Sequence, residues 1–425
     1  MATQRPRKQT SSSSSASRKR PGARRTSAET PGKAAGPILH VERFAHIGRV
    51  SIELGDLTLL VGPQAAGKSL LLQLLKLAID GDAIARTIQD YGLVFADQRQ
   101  FLERYLGADM GTAWKTGKTK VSWKGRPLDL ASIIKKRSGK HAVYFVPAHR
   151  TLMVSEGYPP TFQQFRPETP FVVRHFSEEV RGILLKGFGD GALFPQTKRL
   201  KGKIREKIDD AIFHGAKLRD DTTRVQRQLV LDHGDTRLSY MTWTAGQREF
   251  IPLLLGLYYL LPAGQRPQRQ GTSWVIIEEP EMGLHPKGIM AVMLLVLDLL
   301  SRGYRVVMST HSPLVVDVVW AIKNLQSMRK HGAKWQDVLS LFDIEHVTKA
   351  TAKGEAAMAE RVLKKRYRVY SLDLDENNVA GSTDISSLDP GDANQTIAGW
   401  GGLTGFSGRI GEVVGKVVGR AHAAK

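Results

Sequence analysis

The 425-residue chain reads as an α/β protein. A mixed central sheet is covered by helices, carries an inserted, mainly helical lobe and is preceded by a disordered basic arm. Three observations point there. An apolar strand at 57–61 runs through a glycine-bearing loop into a helix with Leu at 70, 71, 72, 74, 75 and 77. A second apolar strand, Trp274-Val275-Ile276-Ile277, ends in the adjacent carboxylates Glu278 and Glu279. From Ala245 onward helical and strand patterns alternate, as they do in a mostly parallel sheet packed between helices.

Residues 1–36 hold nine Lys or Arg against Glu29 alone, with a serine run from 11 to 15 and almost no large apolar side chain. Such a segment cannot bury enough surface to order itself. A solubilising tail and an electrostatic contact with nucleic acid are equal readings of this +8 arm. Order is expected from Ile38. Strands at 38–44, 49–54 and 57–61 and a helix at 69–79 form the N-terminal part of the main domain, 37–80. Residues 81–225 read as the inserted lobe. Glycines at 107, 111, 117, 125 and 139 break its periodicity, amphipathic helices are expected near 177–185 and 198–213, and a core strand, 142–147, passes through it. A hairpin follows, with strands 226–232 and 236–240 around His233-Gly234-Asp235. Helices at 247–261, 287–300 and 313–325 alternate with strands at 274–278 and 305–309, which places the C-terminal part of the main domain at 226–343. The end, 344–425, is expected to be a C-terminal α/β extension with strands at 345–350 and 366–372 and a helix at 407–420.

Composition removes several function classes. The longest apolar stretch, 250–261, is broken by Pro252 and Gly256, so no segment reaches the roughly 18 apolar residues of a membrane-spanning helix. Cysteine is absent, which excludes disulfides, thiolate metal sites and cysteine nucleophiles, and fits a cytoplasmic protein. The net charge of +21 leaves +13 on the body once the arm is set aside. Such an excess favours a polyanionic partner, with DNA the first candidate.

Gly62-Pro63-Gln64-Ala65-Ala66-Gly67-Lys68-Ser69 fits the phosphate-loop pattern G-x-x-x-x-G-K-[ST] at every position. Its glycines let backbone amides curl around phosphates, the following helix, with Leu70, aims its positive end at them, Lys68 adds a charge, and Ser69 holds Mg²⁺. The alternative, an accidental loop, is disfavoured by the strand before it and the helix after it. Glu278 and Glu279 stand where a parallel strand presents its functional edge. Glu278 is placed to orient the metal and Glu279 to polarise an attacking water. Without the phosphate loop upstream, the pair would read as an acidic strand end. His311 lies in Ser309-Thr310-His311-Ser312-Pro313. The span from Glu279 to His311 holds one helix and one return strand, which brings the imidazole to the same edge, where it can sense the γ-phosphate. Thr244-Ala245-Gly246-Gln247 opens a second helix with free amides. Since one phosphate loop already exists, this turn is read as capping the nucleotide of a second copy in a two-fold dimer.

Together these motifs resemble the ABC-type AAA ATPases: the phosphate loop, the Thr-Ala-Gly-Gln turn, the Glu-Glu-Pro-Glu-Met-Gly-Leu-His-Pro segment (278–286) and the Ser-Thr-His-Ser-Pro switch (309–313). Within them the chain resembles in particular the class found in overcoming-lysogenization-defect nucleases and related anti-phage ATPases, and more distantly RecF and SMC proteins. The resemblance covers about 38–80, 142–150 and 226–325. It implies ATP and Mg²⁺ as ligands, Lys68 and Ser69 on phosphate and metal, Glu279 as catalytic base, His311 as switch, and Thr244 with Gly246 acting in trans. It also places Arg150, in Val146-Pro147-Ala148-His149-Arg150, within reach of nucleotide, although His149 stands where relatives commonly have Glu. Glu278 stands where many have Asp.

Asp373 and Asp375 read as a solvated loop in preference to a metal centre, and no second catalytic centre is evident. The leading expectation is therefore an ATPase that acts as sensor or regulator in anti-phage defence and controls a separate, nuclease-like effector. A DNA repair or recombination ATPase and an ATP-dependent scaffold with little turnover are the competing readings.

Overall fold

The structure is a computed structural model that describes residues 36–423 apart from 137, 155, 187–191, 224–225 and 263–267. The expected basic arm, Gly36 excepted, and half of the loop expected at 263–271 lie outside the described residues. Gly36 onward forms one compact unit.

Strands β1 (Ile38–Phe44) and β2 (Ile47–Glu53) alternate buried and open positions and pair antiparallel. Strand β3 (Leu57–Val61) is buried at all five positions and leads through the glycine loop into α1 (Lys68–Asp90). That helix extends well past the expected end at Ile79. Its apolar stripe continues through Ile84, Ala85 and Ile88, and Gly81, which looks like a breaker, lies at a close helix crossing where a Cβ would stand 2.6 Å from Ile133. There follow α2 (Gln98–Leu106), β4 (Lys120–Trp123), β5 (Arg126–Pro127), α3 (Leu130–Lys135) and β6 (Val143–Val146). Next come α4 (Phe171–Lys186), α5 (Gly202–Ile208) with a π-turn at Asp209–Phe213, and the strands β7 (Lys217–Asp221), β8 (Gln228–His233) and β9 (Thr236–Ser239).

The regular alternation is as expected: α6 (Ala245–Leu260), β10 (Trp274–Glu278), α7 (Pro286–Arg302), β11 (Arg305–Ser309) and α8 (Pro313–Ser327). The chain ends in α9 (Trp335–Ser340), α10 (Lys353–Val362), β12 (Tyr367–Leu374), β13 (Ala380–Asp384), α11 (Gln395–Ala398) and α12 (Gly405–Ala423).

The main sheet has ten strands in the order β5-β4-β1-β2-β13-β12-β3-β11-β10-β6. The run from β12 to β6 is parallel, and the other half is mainly antiparallel, so the sheet is mixed. Two apolar cores cover its faces. One packs α4, α6, α7 and α8 on one side, and the other packs α1 and α2 on the opposite side.

Two expected boundaries change. Residues 344–425 are not an appended extension, because β12 and β13 lie inside the main sheet between β3 and β2. Leu372 O stands where a Cβ on Gly62 would be, 1.9 Å away, so the far end of the chain forms one wall of the phosphate loop. The expected strand at 345–350 is instead an irregular, largely exposed segment. Nor does 81–225 stand apart as a lobe. Residue 81 lies within α1, and β4, β5 and β6 join the main sheet. A short apolar strand carries no record of its partner, so pairing between opposite ends of the chain is set by tertiary packing.

Candidate functional site

The C-terminal ends of the parallel strands meet at one edge of the sheet. Register puts Glu278 beside Ser309, Ser309 beside Leu60, and Ile277 beside Val146. The residues that follow these strands therefore share one cleft of about 470 Å³. Gln64 to Leu70, Ala148, His149, Glu279, Met282, His311 and His46 line it. Segments far apart in the chain converge because four parallel strands all stop at the same level.

The loop's backbone is of the kind only small residues accept. Gly62 and Gly67 have φ of 128° and 85°, and Ala65 has φ of 60°, so successive amides turn inward as a cradle for an anion. Gly62 and Pro63 support the cradle from behind: their carbonyls accept from Lys68 Nζ at 2.9 and 2.6 Å. Lys68 is only 5% exposed. Burial lowers its pKa, while Glu279 and Glu281 oppose that shift. A cation this poorly solvated gains more from a phosphate than a surface lysine does.

Glu278 ends β10 and is 3% exposed. Burial raises its carboxyl from 4.5 to about 7, against hydrogen bonds from Ala148 N–H, at 3.1 Å, and from Ser69. Its Oε1 is buried with no partner among the described residues. An orphaned carboxylate oxygen beside the Ser69 hydroxyl suits Mg²⁺, which takes one or two protein oxygens and completes its shell with phosphate and water. Among the described residues no cluster of three or more His, Asp or Glu could cage a metal alone. Glu279 follows in a left-handed conformation, φ 41°, and its N–H donates to Ser309 O at 3.1 Å. That turn separates the two carboxylates: Glu278 is buried, while Glu279 opens into the cleft. His311 Nε2 lies 3.5 Å from Glu279 Oε1.

Glu281, to which the sequence assigns no role, fixes the Thr310–His311 segment. Its Oε1 accepts from Thr310 Oγ1 at 2.9 Å and from His311 N–H at 2.6 Å. His46 is also missed. It follows the β1–β2 turn and places a buried Nε2, without a partner among the described residues, in contact range of Gly67. No spacing rule marks it, since only the curl of that turn brings it to the loop.

Two expected nucleotide contacts are engaged within the chain. Arg150 is fully buried and donates to the carbonyls of Glu249, Glu278 and Glu279, each at 3.1 Å, with Glu249 Oε2 at 3.2 Å. Its three-way fork holds the Glu278–Glu279 turn. Gln247 is likewise engaged at home. Its amide oxygen accepts from Thr244 N–H and its Nε2 donates to Ile212 O, completing a capping box with the Thr244 hydroxyl. Thr244 and Ala245 are exposed and Gly246 partly so. None of the three lines the cleft of its own chain.

Residues 163–317 match the family model described as "AAA domain, putative AbiEii toxin, Type IV TA system". No curated protein matches the sequence. Solved structures that the chain matches include an SMC head bound to the C-winged helix domain of ScpA, with TM-score 0.41, 10% identity, and coverage of 83% of this chain and 98% of that one. The SMC head domain from Thermotoga maritima gives TM-score 0.34 and 11% identity over 83% and 99%. A dimeric ABC transporter cassette gives 0.31 and 13% over 66% and 90%. No helix of the described residues is long and apolar enough to cross a membrane. The glycine loop, the paired carboxylates Glu278 and Glu279 and His311 thus stand together at one edge of adjacent strands of a mixed sheet, and the matched family model spans the last two of these.

Proposed function

We propose that this chain binds Mg-ATP between two copies of itself and hydrolyses it, and that the cycle controls a separate effector. The observation that carries the reading is the cleft, in which Lys68, Ser69, Glu279 and His311 converge. In this reading Lys68 and the loop amides bind the β- and γ-phosphates. Ser69 and Glu278 would hold Mg²⁺, which when bound supplies charge neutralisation at the phosphates. Glu279 orients and deprotonates the attacking water. His311, 3.5 Å from it, steadies that carboxylate and reports loss of the γ-phosphate through Thr310 and Glu281. The exposed N-terminus of α6, with Thr244 and Gly246, closes the partner's cleft.

The regulatory half of the proposal rests on a single cleft with this chemistry among the described residues and on the toxin wording of the matched family, which fits an effector system held in check. Asp375 supports this division of labour: its Oδ1 accepts from Asn377 and Val379 amides, closing the β12–β13 turn. The anti-phage setting and a nuclease-like effector remain part of the proposal.

Glu279→Gln tests it. The variant should bind ATP at wild-type affinity, lose turnover by about a hundredfold or more, and accumulate as a dimer on size exclusion with ATP. Unchanged turnover would remove Glu279 as base. A monomer in every nucleotide state would remove the shared site.

A further inference from the structure

The free edge of the main sheet is lined with cations. Between Lys115 and Lys140 the described residues include eight exposed lysine or arginine side chains and one carboxylate, Asp129. Asp129 is committed to the N-cap of α3, accepting from Ser132 N–H at 3.2 Å. Glu42 reaches Lys120 at 3.9 Å and Asp82 reaches Lys136 at 3.0 Å. Lys115, Lys118, Arg126 and Lys140 have no ion pair among the described residues. Lys124 lies 5.5 Å over the Trp123 ring.

These residues follow the outermost strands. β4 pairs with β1 from Leu39 to Glu42, and β5 pairs only with β4. Five of the cations, Lys115, Lys118, Lys120, Lys124 and Arg126, thus lie on β4, the start of β5 and the segments beside β4, and Lys135, Lys136 and Lys140 follow at the end of α3 and after it. Like charges this close repel one another, and two ion pairs, Glu42–Lys120 and Asp82–Lys136, offset only part of that excess, so an extended anion would relieve the remainder. Nor does the segment suit a protein interface. Between 115 and 140 no large apolar side chain is exposed among the described residues, whereas protein hot spots centre on apolar and aromatic anchors and are poor in lysine. Flexible point charges on an exposed edge match a phosphodiester backbone.

The Lys115–Lys120 end of this segment is joined to the cleft. Thr119 Oγ1 donates to Arg43 O at 2.6 Å, and Ala45 N–H donates to Ala113 O at 3.2 Å. The same β1–β2 turn delivers His46 to Gly67. We propose that the Lys115–Lys140 edge binds the backbone of a nucleic-acid duplex without regard to sequence, and that its occupancy changes nucleotide affinity through the Arg43–His46 turn. The second half rests on the ATP reading above; the first does not.

The test uses the full chain, a short labelled DNA duplex and anisotropy over a salt series. Combining Lys115→Gln, Lys118→Gln, Lys124→Gln and Arg126→Gln should lower the log–log salt slope by about 3 to 4 and weaken low-salt affinity about tenfold or more, with an unchanged circular dichroism spectrum. An RNA duplex bound equally well supports the shared phosphodiester chemistry. Unchanged slope and affinity in the variant overturn the proposal, as does loss of all binding on neutralising only the five cations from Arg18 to Arg25. Polyglutamate bound as tightly as the duplex overturns it in favour of an acidic protein. Duplex should also shift the ATP Kd of the wild type about fivefold and leave that of the variant unmoved. Equal shifts in both overturn the coupling, whereas no ATP binding in either breaks the ATP reading and leaves the edge assignment standing.

Discussion

Replacing Glu278 by glutamine measures a charge held at a cost under the phosphate loop. The carboxyl is 3% exposed and is raised from 4.5 to about 7, chiefly by burial. The folded state therefore holds the proton between pH 4.5 and 7 while the unfolded chain has released it, so wild-type stability falls as pH rises through that window. The full cost, about 3 kcal/mol, is present at pH 8, and roughly 1.4 kcal/mol of it at pH 5.5. Glutamine keeps an oxygen for the Ala148 N–H, bonded at 3.1 Å, and carries no charge. Urea unfolding followed by circular dichroism, without nucleotide, should show Glu278→Gln more stable than wild type, with a gain about 2 kcal/mol larger at pH 8 than at pH 5.5. A gain of the same size at both pH values would refute the claim that desolvation of this carboxylate sets its proton affinity. A loss at pH 8 would show that the charge is already compensated. If Glu278 holds Mg²⁺ as proposed, Mg²⁺ should no longer tighten ATP binding in the same variant, because the charge at the orphaned Oε1 is gone.

Further outcomes follow from the same geometry. Lys68→Ala should abolish ATP binding in a fluorescent-nucleotide titration and leave the melting temperature nearly unchanged, since its bonds are to its own loop carbonyls. Gly246→Asp should leave ATP binding intact and stop turnover; mixing it with Lys68→Ala should restore activity, because one site of the mixed pair is then whole, and failure to restore would refute sharing between copies. Arg150→Ala should destabilise the fold by about 3–5 kcal/mol through loss of three carbonyl contacts, read as a drop in the urea midpoint. An intact midpoint with lost ATP affinity would instead support Arg150 as a nucleotide contact.

Much of the site could be read without coordinates because its parts are local. The phosphate loop is specified between Gly62 and Ser69, since an anion cradle needs glycines, a cation and a helix start in immediate succession. Glu278 and Glu279 are marked by a strand buried on both faces that stops at two charges, and His311 by a helix-and-strand spacing. Two residues are engaged differently from what their types suggest, one at long range and one locally. Arg150 has the right residue type near the right place, yet its guanidinium finds three backbone carbonyls before it can reach the cleft. Gln247 is drawn into a capping box with the residue three positions before it.

The chemistry of each short motif, and the helix or strand that presents it, follows from local sequence, because both depend on residues within one turn or one strand. Which distant pieces adjoin is settled by the folded core. β12 slots beside β3 and walls the phosphate loop with Leu372, Glu281 ties down the Thr310–His311 segment, and the β1–β2 turn brings His46 to Gly67 and joins it to the basic edge. Backbone pairing is blind to side-chain identity beyond burial and alternation, so strand order is set by packing of the whole core, and the neighbours of a catalytic residue are set with it.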